Sequence, residues 1–206
     1  MTEISNVVSQ TKSQLAKISG IEARYNSAVS SANALPYQDM KTDKLAEARA
    51  QYEGEKQALT DSIKQGVHAD LETLKNKLAR SFTQPMDSNA VDTLQLWLNA
   101  DKVSEPEIKA LAEQYQGEPL ALRIIGQIAK KHDYDFSSFT LPSKNLESYL
   151  TEIDDFENLV YMIVGQYMSG LGLSDEKGFL EYRQSVLAGL DRNAKTLEES
   201  LSQAMK

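Results

Sequence analysis

The sequence contains no cysteine, a single tryptophan and only two histidines among its 206 residues. Without cysteine, neither disulfide bonds nor thiol chemistry can contribute to its fold or activity. Helical di-iron proteins bind their metals through Glu-x-x-His pairs. In this chain Gln65 stands three positions before His68, and Ala129 stands at the same distance before His132. The sequence also has no glycine-rich phosphate-binding loop, so we expect a protein that is not an enzyme and that holds no cofactor or metal ion.

Long apolar segments are missing as well. The longest, from Leu159 to Leu173, is interrupted by a glutamine, a serine and three glycines, and it is too short and too polar to span a bilayer. Met1 is followed by the polar pair Thr2-Glu3 instead of the basic segment and apolar run of a secretory signal. We therefore expect a soluble cytoplasmic protein that does not contact membranes.

The two parts of the chain differ in charge. Residues 1–80 carry eleven Lys/Arg and ten Asp/Glu, whereas residues 81–206 carry eleven and twenty. An acidic surface repels the phosphate backbone of nucleic acids. We therefore expect protein partners, and no nucleic acid.

The clearest positive feature is a pair of apolar seams, one within residues 4–32 and one within residues 45–78. In both seams apolar residues recur at alternating steps of four and three, which is the spacing of a coiled coil. Pro36 lies between the seams, and proline cannot sit inside a helix because it lacks the amide proton and clashes with the preceding turn. Folding the chain near Pro36 places Val8 opposite Val67, in register with the other seam positions. The sequence predicts an antiparallel helical hairpin.

The whole chain is predicted to be all-α, with about seven helices in two domains. The hairpin occupies residues 1–80, and residues 81–206 are expected to form an acidic helical bundle. Within the bundle, Ser104 and Glu107 have the spacing of a capping box that opens a short helix. The last helix is predicted to begin near Ser174. It either packs back on the hairpin or presents its apolar stripe to another subunit.

Five leucines are the candidate interaction residues. Leu74 and Leu78 extend the second seam beyond the end of the first arm, so they must be buried by another part of the protein or by a partner. Leu190, Leu197 and Leu201 keep coiled-coil spacing close to the end of the chain. From these stripes we expect self-association or a helical protein partner.

An acidic run on a predicted helix is a candidate cation site. It consists of Glu152, Asp154, Asp155 and Glu157. Because these residues spread around the helix, a solvated face is favoured over a weak site for a divalent cation.

The helices predicted over residues 105–116 and 118–131 have the arrangement of a helix-turn-helix. The second helix would then direct polar side chains toward DNA, namely Arg123, Gln127, Lys130 and Lys131. The acidic surroundings favour two packed core helices with a basic end instead. His132 is interpreted as a cap at the end of that helix, where the helix dipole favours a cation, and His68 as a surface residue.

The segment Ser104–His132 contains a capped helix that ends in Tyr-x-Gly and runs into a helix with Ala-Leu-Arg. It is similar to segments of uncharacterised small helical proteins of phages and prophages of Gram-positive bacteria. The resemblance covers about thirty residues and implies a virion, assembly or other prophage-encoded role, with no catalytic residues.

The leading hypothesis is therefore a non-enzymatic helical interaction or assembly protein, including a phage structural or morphogenesis factor. The alternative is a regulatory adaptor that binds a protein or nucleic acid through residues 88–132. An enzyme with an unrecognised acidic site is the third possibility.

Overall fold

The computed structural model describes residues 3–83, 86–115, 118–134, 146–169 and 176–202. Within these ranges the chain consists of α-helices and the turns that connect them, with no strand, which confirms the predicted all-α class. The long α3 confirms the helical hairpin. In chain order the helices are α1 (Glu3–Leu15), α2 (Ile18–Asn33), α3 (Gln38–Thr83), α4 (Ser88–Asn99), α5 (Glu105–Gln114), α6 (Pro119–Lys131), α7 (Leu146–Ser169) and α8 (Glu176–Ser202).

The first arm of the hairpin, predicted as one helix, is divided into α1 and α2. The Lys17 amide donates to the Gln14 carbonyl at 3.0 Å, a tighter turn than an α-helix makes. The Ser19 hydroxyl donates to the Ala16 carbonyl at 2.9 Å, so this side chain competes with the backbone for hydrogen bonds. Lys17 keeps helical backbone angles, so the two helices are joined by a single tightened turn.

The chain forms two compact units, and each draws on separate stretches of sequence. Unit 1 contains Met1–Leu71 and Asp155–Ala194, and unit 2 contains Glu72–Asp154 and Lys195–Lys206. Helices α3, α7 and α8 each contribute residues to both units. The predicted start of the last helix at Ser174 lies outside the described residues.

Unit 1 buries part of the first predicted seam and part of the second up to Leu71, together with parts of α7 and α8. Val8 on α1 and Val67 on α3 are both buried. Val7 and Ile21, which lie off the seam, are buried as well. Ion pairs join the first arm to α8, including Lys12 Nζ to Asp191 Oδ1 at 2.5 Å. Further buried apolar residues of this unit include Ile4, Leu15, Ile18, Ile63, Leu71, Phe156, Val160, Ile163, Val164, Met168, Val186 and Leu190.

The end of the hairpin is much more exposed than the rest of unit 1. Between residues 22 and 50 only Ala32 and Ala48 are buried. Tyr37 and Met40, beside the turn that contains Pro36, are 68% and 50% exposed. Small buried residues provide little apolar contact, so this end depends on few packing interactions.

Unit 2 contains the bundle of α4, α5 and α6. Its buried residues include Leu94, Val103, Ile108, Leu111, Tyr115, Ala121, Leu122, Ile125 and Ile128. The predicted capping box is present at the start of α5, where the Ser104 amide donates to Glu107 Oε2 at 2.7 Å. Lys131 Nζ donates to the carbonyls of Leu98 and Ala100 at 2.9 and 3.2 Å, which ties the end of α6 to the end of α4.

Among the helices of the described ranges, none combines the length and the apolar character that crossing a bilayer would require.

Candidate functional site

All five leucines predicted to mediate interactions are buried in the protein itself. Leu74 and Leu78 are 1% and 0% exposed, Leu190 is 0% exposed, and Leu197 and Leu201 are 6% and 1% exposed. Leu190 belongs to unit 1 and the other four belong to unit 2. In this conformation none of them presents its side chain to a partner, and their role in interaction stays a prediction.

The acidic run on α7 is divided among different partners. In unit 2, Asp154 Oδ1 lies 2.5 Å from Lys75 Nζ, and Glu152 Oε2 accepts the Ser200 hydroxyl at 2.6 Å. Burial lowers the pKa of Lys75, but its hydrogen bonds with Asp154 and Glu72 outweigh that effect and raise the pKa above the ordinary value of 10.5. These carboxylates therefore serve as partners for side chains of the same unit.

The interpretation of this run as a solvated face is wrong for Glu157, which is only 8% exposed. Its Oε1 lies 2.9 Å from Nδ1 of His68 on α3. The Tyr161 hydroxyl, one turn along α7, donates to the same oxygen and lies 3.2 Å from the Lys64 carbonyl oxygen. A buried carboxylate is stabilised when donors satisfy its oxygens, and here two donors meet at one oxygen.

The His68–Glu157–Tyr161 cluster also orients an exposed imidazole. The His68 side chain is 60% exposed, as the sequence predicts. A carboxylate bound to one imidazole nitrogen fixes the tautomer and leaves the other nitrogen available as a base, nucleophile or metal ligand. The partner of His68 lies 89 positions away along the chain, so helical periodicity contains no signal for this pair.

A second polar cluster in unit 1 surrounds Arg183 of α8, which is 6% exposed. Its Nη2 and Nη1 donate to the two carboxylate oxygens of Glu22 on α2, at 2.6 and 3.0 Å. Its Nε donates to the Tyr167 carbonyl at 3.3 Å. The guanidinium carbon lies 4.0 Å from the ring centroid of Phe179 and 4.7 Å from that of Tyr167.

The Arg183 cluster was not identified from the sequence, although one signal exists. Glu22 occupies a seam position of the first arm, where apolar residues are expected. A charged residue in a coiled-coil seam implies a charged partner. The Arg183 guanidinium forms a bidentate ion pair and lies over two aromatic rings. Because its charge is paired in this way, we assign the cluster a structural role.

A cavity of about 360 Å³ lies between α1 and α3 in unit 1. Its lining is mixed, with apolar side chains such as Val7 and Ile63 beside polar ones such as Gln10, Gln14 and Asp70. The hydroxyl of Thr11, which also lines the cavity, is buried and forms no hydrogen bond with the residues that the structure describes. Gly66 leaves open space at this wall, because an added Cβ would have no neighbour within 4 Å.

The basic end of α6 in unit 2 is largely exposed. Arg123, Gln127 and Lys130 are exposed and lie on one side of the helix. Lys131 is exposed as well but is engaged with the end of α4. His132 follows the helix as its C-cap residue. Its Nε2 is buried and has no hydrogen-bond partner within the part of the chain that the structure describes.

No group of three or more His, Cys, Asp or Glu in the described ranges is arranged to hold a metal ion. The expectations that the protein lacks metal, cofactor and catalytic activity stay predictions.

No protein-family model matches this chain, and no curated protein or solved structure matches it either.

Proposed function

We propose that this protein is a non-enzymatic helical interaction or assembly protein, and that the end of its hairpin binds another protein. The observation that carries the proposal is the exposure of Tyr37 and Met40, at 68% and 50%, beside the Pro36 turn. Tyrosine and methionine are enriched in protein interfaces. Neighbouring helical residues there are also exposed, with only two alanines buried between residues 22 and 50.

The Arg183 cluster and the ion pairs of Lys75 support a scaffold role. Arg183 and Glu22 satisfy each other, and Lys75 is satisfied by Asp154 and Glu72. Charges that are paired in this way stabilise a helical scaffold. Tyr37, beside the hairpin turn, is then the most exposed large apolar residue among the described residues of unit 1.

Site-specific photocrosslinking tests the proposal. A photoreactive residue at position 37 should trap one defined protein in the source cells, and the trapped protein should be lost when Met40→Ser is added. Met162 is the matched control, because it is 54% exposed but lies on α7. Equal crosslinking from positions 37 and 162 would contradict a specific site at the hairpin end. Light scattering at several concentrations distinguishes a foreign partner from a second copy of this chain.

The finer form of the proposal is a structural or morphogenesis factor of a phage. It rests on the resemblance of residues 104–132 to phage and prophage proteins. Isolation of virions from the source strain and mass spectrometry of their proteins would test it, because a structural protein must copurify with the particles.

The exposed side of α6 supports a second candidate, a regulatory adaptor that binds through residues 88–132. Arg123 and Lys130 are exposed on the same side of that helix. Binding to nucleic acid would weaken steeply with added salt, because phosphate contacts release counterions. A complex that withstands salt, or that persists after both residues are changed to alanine, would point to a protein ligand instead.

A further inference from the structure

The two histidines of this protein are held in different ways. His132 Nε2 is buried, whereas the His68 side chain is 60% exposed and bonds to Glu157 through Nδ1. With the Nδ1 proton directed at the carboxylate, Nε2 keeps its lone pair at the opposite edge of the ring. No residue in the described ranges forms a hydrogen bond with that nitrogen. His68 Nε2 is therefore an oriented nucleophile on the surface of unit 1.

The group behind the ring is itself held in place. Glu157 is 8% exposed, and its Oε1 accepts the Tyr161 hydroxyl as well as the bond with His68. A positioned carboxylate stabilises the positive charge that an imidazole develops when its free nitrogen forms a new bond. The cluster therefore favours attack by Nε2 on an electrophile.

A cation lies on the same side of α3. Lys64 precedes His68 by four residues, so the two side chains are neighbours on the helix surface. The Lys64 ammonium is placed over the Tyr161 ring, 5.5 Å from its centroid. This charge can neutralise oxygens of an anionic group that is being transferred to the imidazole.

We propose that His68 Nε2 is a phosphoryl acceptor. The co-reactant carries its phosphoryl group on a good leaving group, as in an acyl phosphate or a phosphoramidate. The Nε2 lone pair forms the new N–P bond while the bond from phosphorus to the leaving group breaks. The leaving group departs with that electron pair, as a carboxylate from an acyl phosphate or as an amine that takes a proton from water. The Nδ1 proton stays on the ring, where Glu157 balances the positive charge.

The full-length chain is treated with acetyl phosphate in one arm and with phosphoramidate in the other, and phosphohistidine is followed by ³¹P NMR. Labelling of His68 by at least one donor, about tenfold or more faster than labelling of N-acetylhistidine, is expected. The signal should disappear in His68→Gln and persist in His132→Gln, and the donor that reacts identifies the leaving-group class. Absence of labelling with both donors, or a rate equal to that of N-acetylhistidine, would overturn the proposal.

A second pair of variants separates orientation from mere exposure. Glu157→Gln keeps a hydrogen-bond acceptor but removes the charge, and it should slow labelling by about tenfold. Lys64→Ala, which changes a partly exposed side chain, should slow labelling without changing the circular dichroism spectrum. Unchanged rates in a folded Glu157→Gln protein would refute the role of the carboxylate. If that variant fails to fold, an unchanged rate in Lys64→Ala would equally count against the site.

Discussion

The ion pair between Glu22 and Arg183 provides the sharpest test of the packing in unit 1. Replacing Glu22 with glutamine keeps the size of the side chain but removes its charge. It also turns an amide group toward a guanidinium that can only donate hydrogen bonds. Because the Arg183 side chain is 7% exposed, the remaining positive charge would have little access to water.

The magnitude follows from the burial of both partners. Removing one partner of a buried ion pair typically costs about 3–5 kcal/mol. The Glu22 side chain is 27% exposed, so water can partly solvate the changed site, and we expect a loss of about 2–3 kcal/mol in the free energy of unfolding. For a chain of this size that loss corresponds to a decrease of roughly 4–12 °C in Tm.

Urea unfolding followed by circular dichroism measures this free energy. A double-mutant cycle with Arg183→Met should give a coupling energy above about 1 kcal/mol. Glu199→Gln is the control, because its pair with Lys195 spans 3.9 Å and both side chains are more than two thirds exposed. That control should change stability by less than about 0.5 kcal/mol. Equal effects of Glu22→Gln and Glu199→Gln, or a coupling energy near zero, would refute the structural role of the Arg183 cluster.

Three further predictions concern single positions. Leu78→Ala should destabilise the protein by about 2–5 kcal/mol because the side chain is fully buried. The control Leu96→Ala, at a 75% exposed position, should cost less than about 0.5 kcal/mol. Similar losses of stability for the two variants in thermal unfolding would contradict the burial of Leu78. Gly66→Ala should raise the free energy of unfolding by about 0.5–1 kcal/mol, since the new methyl group meets open space and alanine is the better helix former. A lower Tm would show that the methyl group clashes with a neighbouring group instead. The Ser104 hydroxyl and then the Ser104 amide donate to Glu107 and hold the pKa of its carboxyl below the ordinary value of 4.5. This contribution is therefore present above pH 4.5 and disappears as the pH falls through the lowered value. Ser104→Ala should destabilise α5 by about 1 kcal/mol and make the free energy of unfolding depend less on pH. If stability depends on pH identically in the variant and the unmodified protein, the capping box makes no such contribution.

Features that depend on near neighbours in the chain could be predicted from the sequence. Pro36 interrupts the two apolar seams, and α2 and α3 end and begin on either side of it because proline cannot occupy a helix interior. The capping box of Ser104 and Glu107 could be identified for the same reason, since its members are three residues apart. The pairing of the seams was also predictable, because an apolar stripe on one helix must be covered by another.

Local hydrogen bonding was harder to predict where periodicity continues through it. The seam runs through Lys17 without interruption, yet the backbone makes a tighter turn there and the first arm is divided into two helices. Apolar spacing indicates which side of a helix is buried, but it contains no information on a local change in the backbone hydrogen-bond pattern.

Which polar groups meet depends on how the helices pack. In the sequence Glu157 is one acidic residue among several on α7. Packing against α3 buries it and pairs it with His68, 89 positions away. Arg183 and Glu22 are 161 positions apart. Helical periodicity assigns each residue to a side of its own helix, whereas the partner of a charged side chain depends on which helices pack together and at what level along their axes.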